Sequence, residues 1–404
     1  MKKHIVRFKI LMTLLNEGYA YDNVLRTLDD SIPFINKCIS QMIDEKYIKT
    51  GKRSFVPKNK NKKEEISFTF KMITPKGVQW LIDNYANECG WLRYLPDPMP
   101  SFYINRHLSG SAVYRMAKSI TASIMFSNVG IRTFSKSKSD KEELRDIVDQ
   151  AKEKYRKDNG IKTEDLFREE DGSVSAYYHG KDIKSTVAKL TDEGQQHAFL
   201  RNHGLLFNRS VSYLVYVTKA KGFVFRKRGV DRVRNTANAF VWENRLPYEK
   251  YGLGQRCIVF CKNEKEFADL FFANYRANQD TKEKITMRDC FVCIHAVPVS
   301  RKGVIMLADI LNHMGGYEYD VVDLLSQEDT RYVNSIVGVS HEDASVLIGT
   351  DMDMVKIEKF YAKIKQEPEE RYIIVCHKWQ KDYYQRIMSE NVEYHCISDD
   401  FLQK

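Results

Sequence analysis

Six basic residues, Lys52, Arg53, Lys58, Lys60, Lys62 and Lys63, stand between positions 52 and 63 with no acid among them. Ammonium and guanidinium groups at this density neutralise phosphates and bind duplex DNA without reading its sequence. Upstream, Asn36, Lys37, Ser40 and Gln41 recur at a spacing that puts them on one face of a helix. Amide, hydroxyl and ammonium side chains are those that hydrogen-bond base edges in the major groove. The two groups therefore predict phosphate contact from the first and base reading from the second. The competing reading of a short charge run is a solvated lysine turn. The order of the elements around it, given below, favours DNA.

Other residues carry weaker chemistry. Asp182-Ile183-Lys184 has the acid–x–Lys spacing of metal nucleases, but the tripeptide is common and no partner strand with a second acid is evident. Asp351-x-Asp353 could hold a cation; the favoured alternative is that Thr350 and Asp351 cap a helix beginning near Met354. Among 23 tyrosines, pairs such as Tyr177-Tyr178 and Tyr383-Tyr384 arise by chance, and the 10 histidines form no His-x-His cluster. Cys257, Cys261, Cys290 and Cys293 have the number for a zinc site, but they sit in apolar strands without knuckle turns and read as buried thiols. There is no Walker loop. No cofactor and no metal are expected.

The elements that must position the first two groups are legible. Residues 3–16 read as a helix with Ile5, Phe8, Leu11, Met12 and Leu15 on the buried face, ended by Gly18. A short second helix covers 21–28. Asp30 or Ser31 caps a third, with Pro33 in its first turn and Ile35, Ile39, Met42 and Ile43 buried. Residues 47–56 and 66–71 then read as two strands around the lysine-rich turn, and Thr74-Pro75-Lys76-Gly77 opens a closing helix. Three helices followed by a basic hairpin is the order of a winged helix-turn-helix.

Bulk properties agree. Residues 1–64 hold 14 Lys and Arg against 7 Asp and Glu, a local +7 within a chain of formal charge +10. The 404 residues are 43% hydrophobic and 12% aromatic, which marks a folded globular protein of two or three domains. No apolar run approaches the ~20 residues of a membrane span, and Arg7 and Lys9 break any signal peptide. A cytoplasmic location and reduced cysteines are expected. Residues 96–174 read as a helical linker with a charged insertion: 106–126 form one helix that packs beside the first domain or links it to the rest, and 135–160 an exposed helix or an insertion. From 175 to 404, short apolar strands, including one at 222–226, alternate with helices and predict a mixed-sheet α/β domain. The predicted fold class is α+β to α/β, with domains at 1–95, 96–174 and 175–404.

Several stretches together resemble the replication-relaxation family of plasmids and integrative conjugative elements. They are Ile73-Thr74-Pro75-Lys76-Gly77, Asn105 to Val113, Tyr178 to Lys184, Gly204 to Phe207 with Tyr213 to Tyr216, and Ile348 to Met352. The resemblance runs diffusely from residue 1 to about 355 and supplies no catalytic residue. It implies a double-stranded DNA-binding protein of a mobile element, acting in replication, relaxation or mobilisation. Other replication or conjugation proteins, or a second copy of the chain, would be its partners. Two rivals stay open: a metal-dependent nuclease or nickase using the α/β domain, and a winged-helix transcriptional regulator sensing a ligand there.

Overall fold

The computed structural model describes residues 2–29, 31–56, 65–85, 90–96, 109–134, 142–160, 175–180, 183, 203–208, 211–218, 223–243, 253–280, 287–313, 317–335, 338–388 and 391–399. The architecture is mixed α+β with mixed sheets, and the chain divides into two compact units, Met1–Asp182 and Ile183–Lys404.

In the first unit, helix α1 (Lys2–Glu17) is followed by α2 (Asp22–Leu25), which tightens into a 3₁₀ turn at Arg26–Leu28, and then by α3 (Ile32–Asp44). Gly18 closes α1 at φ 82 while its N–H bonds the Leu14 carbonyl at 2.8 Å. The buried face of α1 is rotated from the expected one. Val6, Ile10, Leu11, Leu14 and Leu15 are buried, and Ile5 is 42% exposed. The run Val6-Ile10-Leu14 is also an i, i+4, i+8 stripe, and it is buried together with Leu11 and Leu15 in a helix that packs on α3 and α4. Ser31, rather than Asp30, caps α3 through a bond from Phe34 N at 3.4 Å.

Strands β1 (Ile48–Phe55) and β2 (Ile66–Ile73) form an antiparallel hairpin, and α4 (Pro75–Asn84) follows. Thr74 caps α4 by accepting from Gly77 N at 3.1 Å, and its hydroxyl donates to the Lys46 carbonyl at 2.6 Å. One side chain thus ties the base of the hairpin to the end of α3. Helix α5 (Gly110–Ser127) packs against the first elements of this unit. Tyr19 Oη donates to the Val113 carbonyl at 3.3 Å, and Ser123 Oγ donates to Glu17 Oε1 at 2.5 Å. The short strands β3 (Arg132–Phe134) and β4 (Ala176–His179) pair in parallel. Between them, charged α6 (Glu142–Asp158) lays Lys152 Nζ over the Trp91 ring at 4.8 Å.

In the second unit, β5 (Gly204–Asn208) and β6 (Val211–Val217) are antiparallel; β6 then pairs in parallel with β7 (Arg256–Cys261), and β7 with β8 (Cys293–Pro298). Helix α7 (Lys227–Glu243) connects β6 to β7, and α8 (Glu264–Asp280) with short α9 (Met287–Cys290) connects β7 to β8. Of the strand expected at 222–226, the described residues 223–226 form none. The Asn274 amide bonds Phe225 N and the Phe223 carbonyl, each at 2.8 Å, so this backbone is satisfied without a ladder.

After α10 (Arg301–His313) and α11 (Tyr317–Glu328) comes a second sheet. Its strands are β9 (Tyr332–Ser335), β10 (Gly338–His341) and β11 (Ala344–Ile348); α12 (Met354–Gln366) then leads to β12 (Arg371–His377), and α13 (Lys381–Gln385) to β13 (Val392–Ile397). The order is β13-β12-β11-β10-β9, parallel among β11, β12 and β13 and antiparallel elsewhere. Val321, Val322 and Leu325 of α11 pack on Ile348, Val375 and Ile397 of this sheet. Among the described residues no helix is long and apolar enough to cross a membrane.

Candidate nucleic-acid interface

Helix α3 has two chemically distinct sides. Ile35, Cys38, Ile39 and Met42 are buried, while Asn36, Lys37 and Ser40 are exposed and Gln41 is half-buried. The apolar side fixes the helix and turns the polar side outward. Arg26, in the turn before α3, donates from Nε to Asn36 Oδ1 at 2.8 Å. That bond aims the Asn36 amide and places a guanidinium beside the same face. Sequence reasoning missed Arg26; the signal available was its place in the turn between the two helices.

The C-terminal end of α3 is anchored to α1. Buried Arg7 pairs with Glu45 at 2.5 Å, and its guanidinium lies 5.8 Å from the Tyr47 ring. The hydrogen bond from Arg7 holds the Glu45 carboxyl below its ordinary value.

The hairpin also has two sides. Its register pairs Thr50 with Lys71, Lys52 with Thr69 and Ser54 with Ser67 on one side. On the other it pairs Gly51 with Phe70, Arg53 with Phe68 and Phe55 with Ile66. Lys52, Thr50, Ser54, Ser67 and Thr69 are all exposed. The second side is covered by α5, whose Tyr114 ring sits 5.4 Å from Phe55 and 5.3 Å from Phe68. Gly51 belongs to that covered side because a Cβ there would lie 2.4 Å from the Phe70 ring. The structure therefore separates two residues that the sequence grouped. Lys52 stands on the open polar side, and half-buried Arg53 stands on the side packed against α5. Lys71 is withdrawn from the open side, its Nζ donating to Thr50 Oγ1 at 2.9 Å and facing Asp22 at 3.4 Å. Lys58, Lys60, Lys62 and Lys63 lie outside the described residues.

The candidates in the second unit are occupied by structural bonds. Asp353, not Thr350 or Asp351, caps α12: its Oδ1 accepts from Val355 N at 3.0 Å and from Ile294 N at 2.8 Å. Asp351 faces Lys356 Nζ at 3.1 Å, and His295 Nδ1 lies 3.1 Å from the Asp351 carbonyl oxygen. Burial works against both carboxylates. The Lys356 and His295 charges nevertheless hold Asp351 below its ordinary value, and Asp351 in turn pushes Asp353 up. Two acids and a lysine do converge here, but Asp353 Oδ1 accepts from two backbone N–H groups, and Asp351 accepts from the Asp353 N–H and from that lysine. Among the described residues no group of three or more His, Cys, Asp or Glu side chains is arranged to hold a metal ion. Cys257, Cys261 and Cys290 are buried, which pushes their thiols up, Cys290 to about 11. Tyr177 and Tyr384 are core residues, the latter donating to the Gly349 carbonyl. Asp182 and Lys184 lie outside the described residues. No family model, curated protein or solved structure matches the chain.

Proposed function

We propose that residues 1–95 are a winged-helix domain that binds double-stranded DNA. Helix α3 enters the major groove with Asn36, Lys37, Ser40 and Gln41 toward the base edges, and the hairpin follows the phosphate backbone. The observation that carries this reading is the two-sided α3, apolar inward and hydrogen-bonding outward, followed directly by a hairpin with an open polar side; in sequence its two strands flank a lysine-rich stretch. Lys52 and the tip lysines supply sequence-blind affinity. Asn36, aimed by Arg26, suits the N6/N7 edge of adenine, and Lys37 suits guanine O6/N7.

The wider role follows from the resemblance to the replication-relaxation family: an origin- or operator-binding protein of a mobile element, with the second unit engaging partner proteins or a second copy. The test is a fluorescence-anisotropy titration of the full chain against a labelled random-sequence duplex at low salt. Saturable binding that weakens steeply with salt is expected. Absence of binding overturns the proposal.

A further inference from the structure

Cys376 and Cys396 are direct partners in the parallel register of β12 and β13. Adjacent strands hold such partners about 4.8 Å apart, inside the Cα–Cα range that a disulfide bridges. As direct register partners, the two side chains project from the same side of the sheet. Cys376 is fully buried, and Cys396, on the edge strand, is exposed. The charge of Lys381 in α13 bears on the Cys376 thiol, and its Nζ lies 5.4 Å from the ring of Tyr394, two residues from Cys396.

We propose that Cys396 and Cys376 are a peroxide-reactive dithiol, with Cys396 the attacked thiol and Cys376 the resolving thiol. Exposure admits the oxidant to Cys396. Burial pushes the Cys376 thiol up and keeps it protonated while Cys396 reacts. In the first step the Cys396 sulfur attacks one peroxide oxygen. An S–O bond forms, the O–O bond breaks, and the departing oxygen leaves as water after taking a proton. In the second step the Cys376 sulfur attacks the sulfenic sulfur of Cys396. An S–S bond forms, the S–O bond breaks, and a second water leaves with the Cys376 proton. Two thiols are oxidised to one disulfide by two electrons, and one peroxide is reduced to two waters. The product ties edge strand β13 to its neighbour and closes the segment that contains α13.

The experiment treats the native full chain with hydrogen peroxide, blocks free thiols with an alkylating agent, and maps the digest by mass spectrometry. The expected result is a Cys376–Cys396 peptide pair two hydrogens lighter than the reduced peptides, restored by dithiothreitol. Under the same treatment Cys376→Ser should form no link and leave Cys396 as a sulfenic acid that dimedone traps. Cys396→Ser should give neither a link nor a trapped acid at Cys376. A urea-unfolded control should lose the preference for this pair. The wild-type map decides the matter even if a variant fails to fold. Progress of Cys396 to sulfinic acid without a link to Cys376, or oxidation of Cys376 in Cys396→Ser, overturns the proposal, as does a thiol pair left reduced.

Discussion

Lys52 and Arg53 are neighbours in sequence and opposites in the hairpin, so they separate the two ways the hairpin can meet DNA. Lys52 lies on the exposed side with Thr50, Ser54, Ser67 and Thr69, while Arg53 lies on the side that Tyr114 of α5 covers. If the open side follows the phosphate backbone, only Lys52 displaces a counterion. Each phosphate contact contributes about 0.9 to the slope of log K against log salt. Between ~50 and ~200 mM salt, Lys52→Ala should therefore lose about 3.5-fold less affinity than the wild type, and Arg53→Ala should keep the wild-type slope. Replacing Lys58, Lys60, Lys62 and Lys63 together should remove up to about 3.6 from the slope. The assay is fluorescence anisotropy on one labelled duplex across a potassium chloride series, with thermal melts to confirm that each variant is folded. A lower slope in Arg53→Ala with an unchanged one in Lys52→Ala would refute the assignment of sides. Unchanged slopes in all three would refute phosphate contact by the hairpin.

Other outcomes follow from the same geometry. Lys37→Ala with Gln41→Ala should weaken binding to a selected site about 10- to 100-fold while changing random-DNA affinity little; equal losses on both would remove base reading from α3. Arg26→Ala should mimic part of that loss, because Asn36 then has no partner to aim it, and unchanged discrimination would contradict the positioning role. Gly77→Ala places a Cβ 2.3 Å from the Tyr47 carbonyl oxygen; despite its better helix propensity it should cost about 1–3 kcal/mol, read as a lower melting temperature. Glu45 is held below its unfolded value by Arg7, so its contribution is present above about pH 4.3 and is lost as pH falls through its folded value. Glu45→Gln should be less stable by about 1 kcal/mol or less near pH 6, with the difference vanishing in acid; a constant difference would refute the linkage.

The elements of the first unit were legible because each carried a local signal: Gly18 as a stop, Ser31 and Thr74 as caps, and the alternation of Ile66, Phe68 and Phe70 as a strand. What was hidden depended on distant partners. Two apolar stripes overlap on α1, and only the packed fold shows that Val6, Ile10 and Leu14 are buried while Ile5 stays exposed. The sidedness of Lys52 and Arg53 became informative only once α5 was seen to cover one side. The stretch 223–226 has strand composition, yet the side chain of Asn274, remote in sequence, takes its hydrogen bonds. The Asp351–Asp353 pair shows the same limit. Reading the sequence put the cap near Met354 on Thr350 and Asp351, whereas Asp353 caps the helix, and the Ile294 N–H that its carboxylate also accepts comes from another strand.

The central claim is that α3 reads duplex DNA, and selection of bound DNA from a random duplex pool, followed by sequencing, tests it most directly. The full chain should enrich one motif over successive rounds, and the Lys37→Ala, Gln41→Ala double variant should bind the same pool without enriching it. A wild-type protein that retains DNA but enriches no motif would contradict the account.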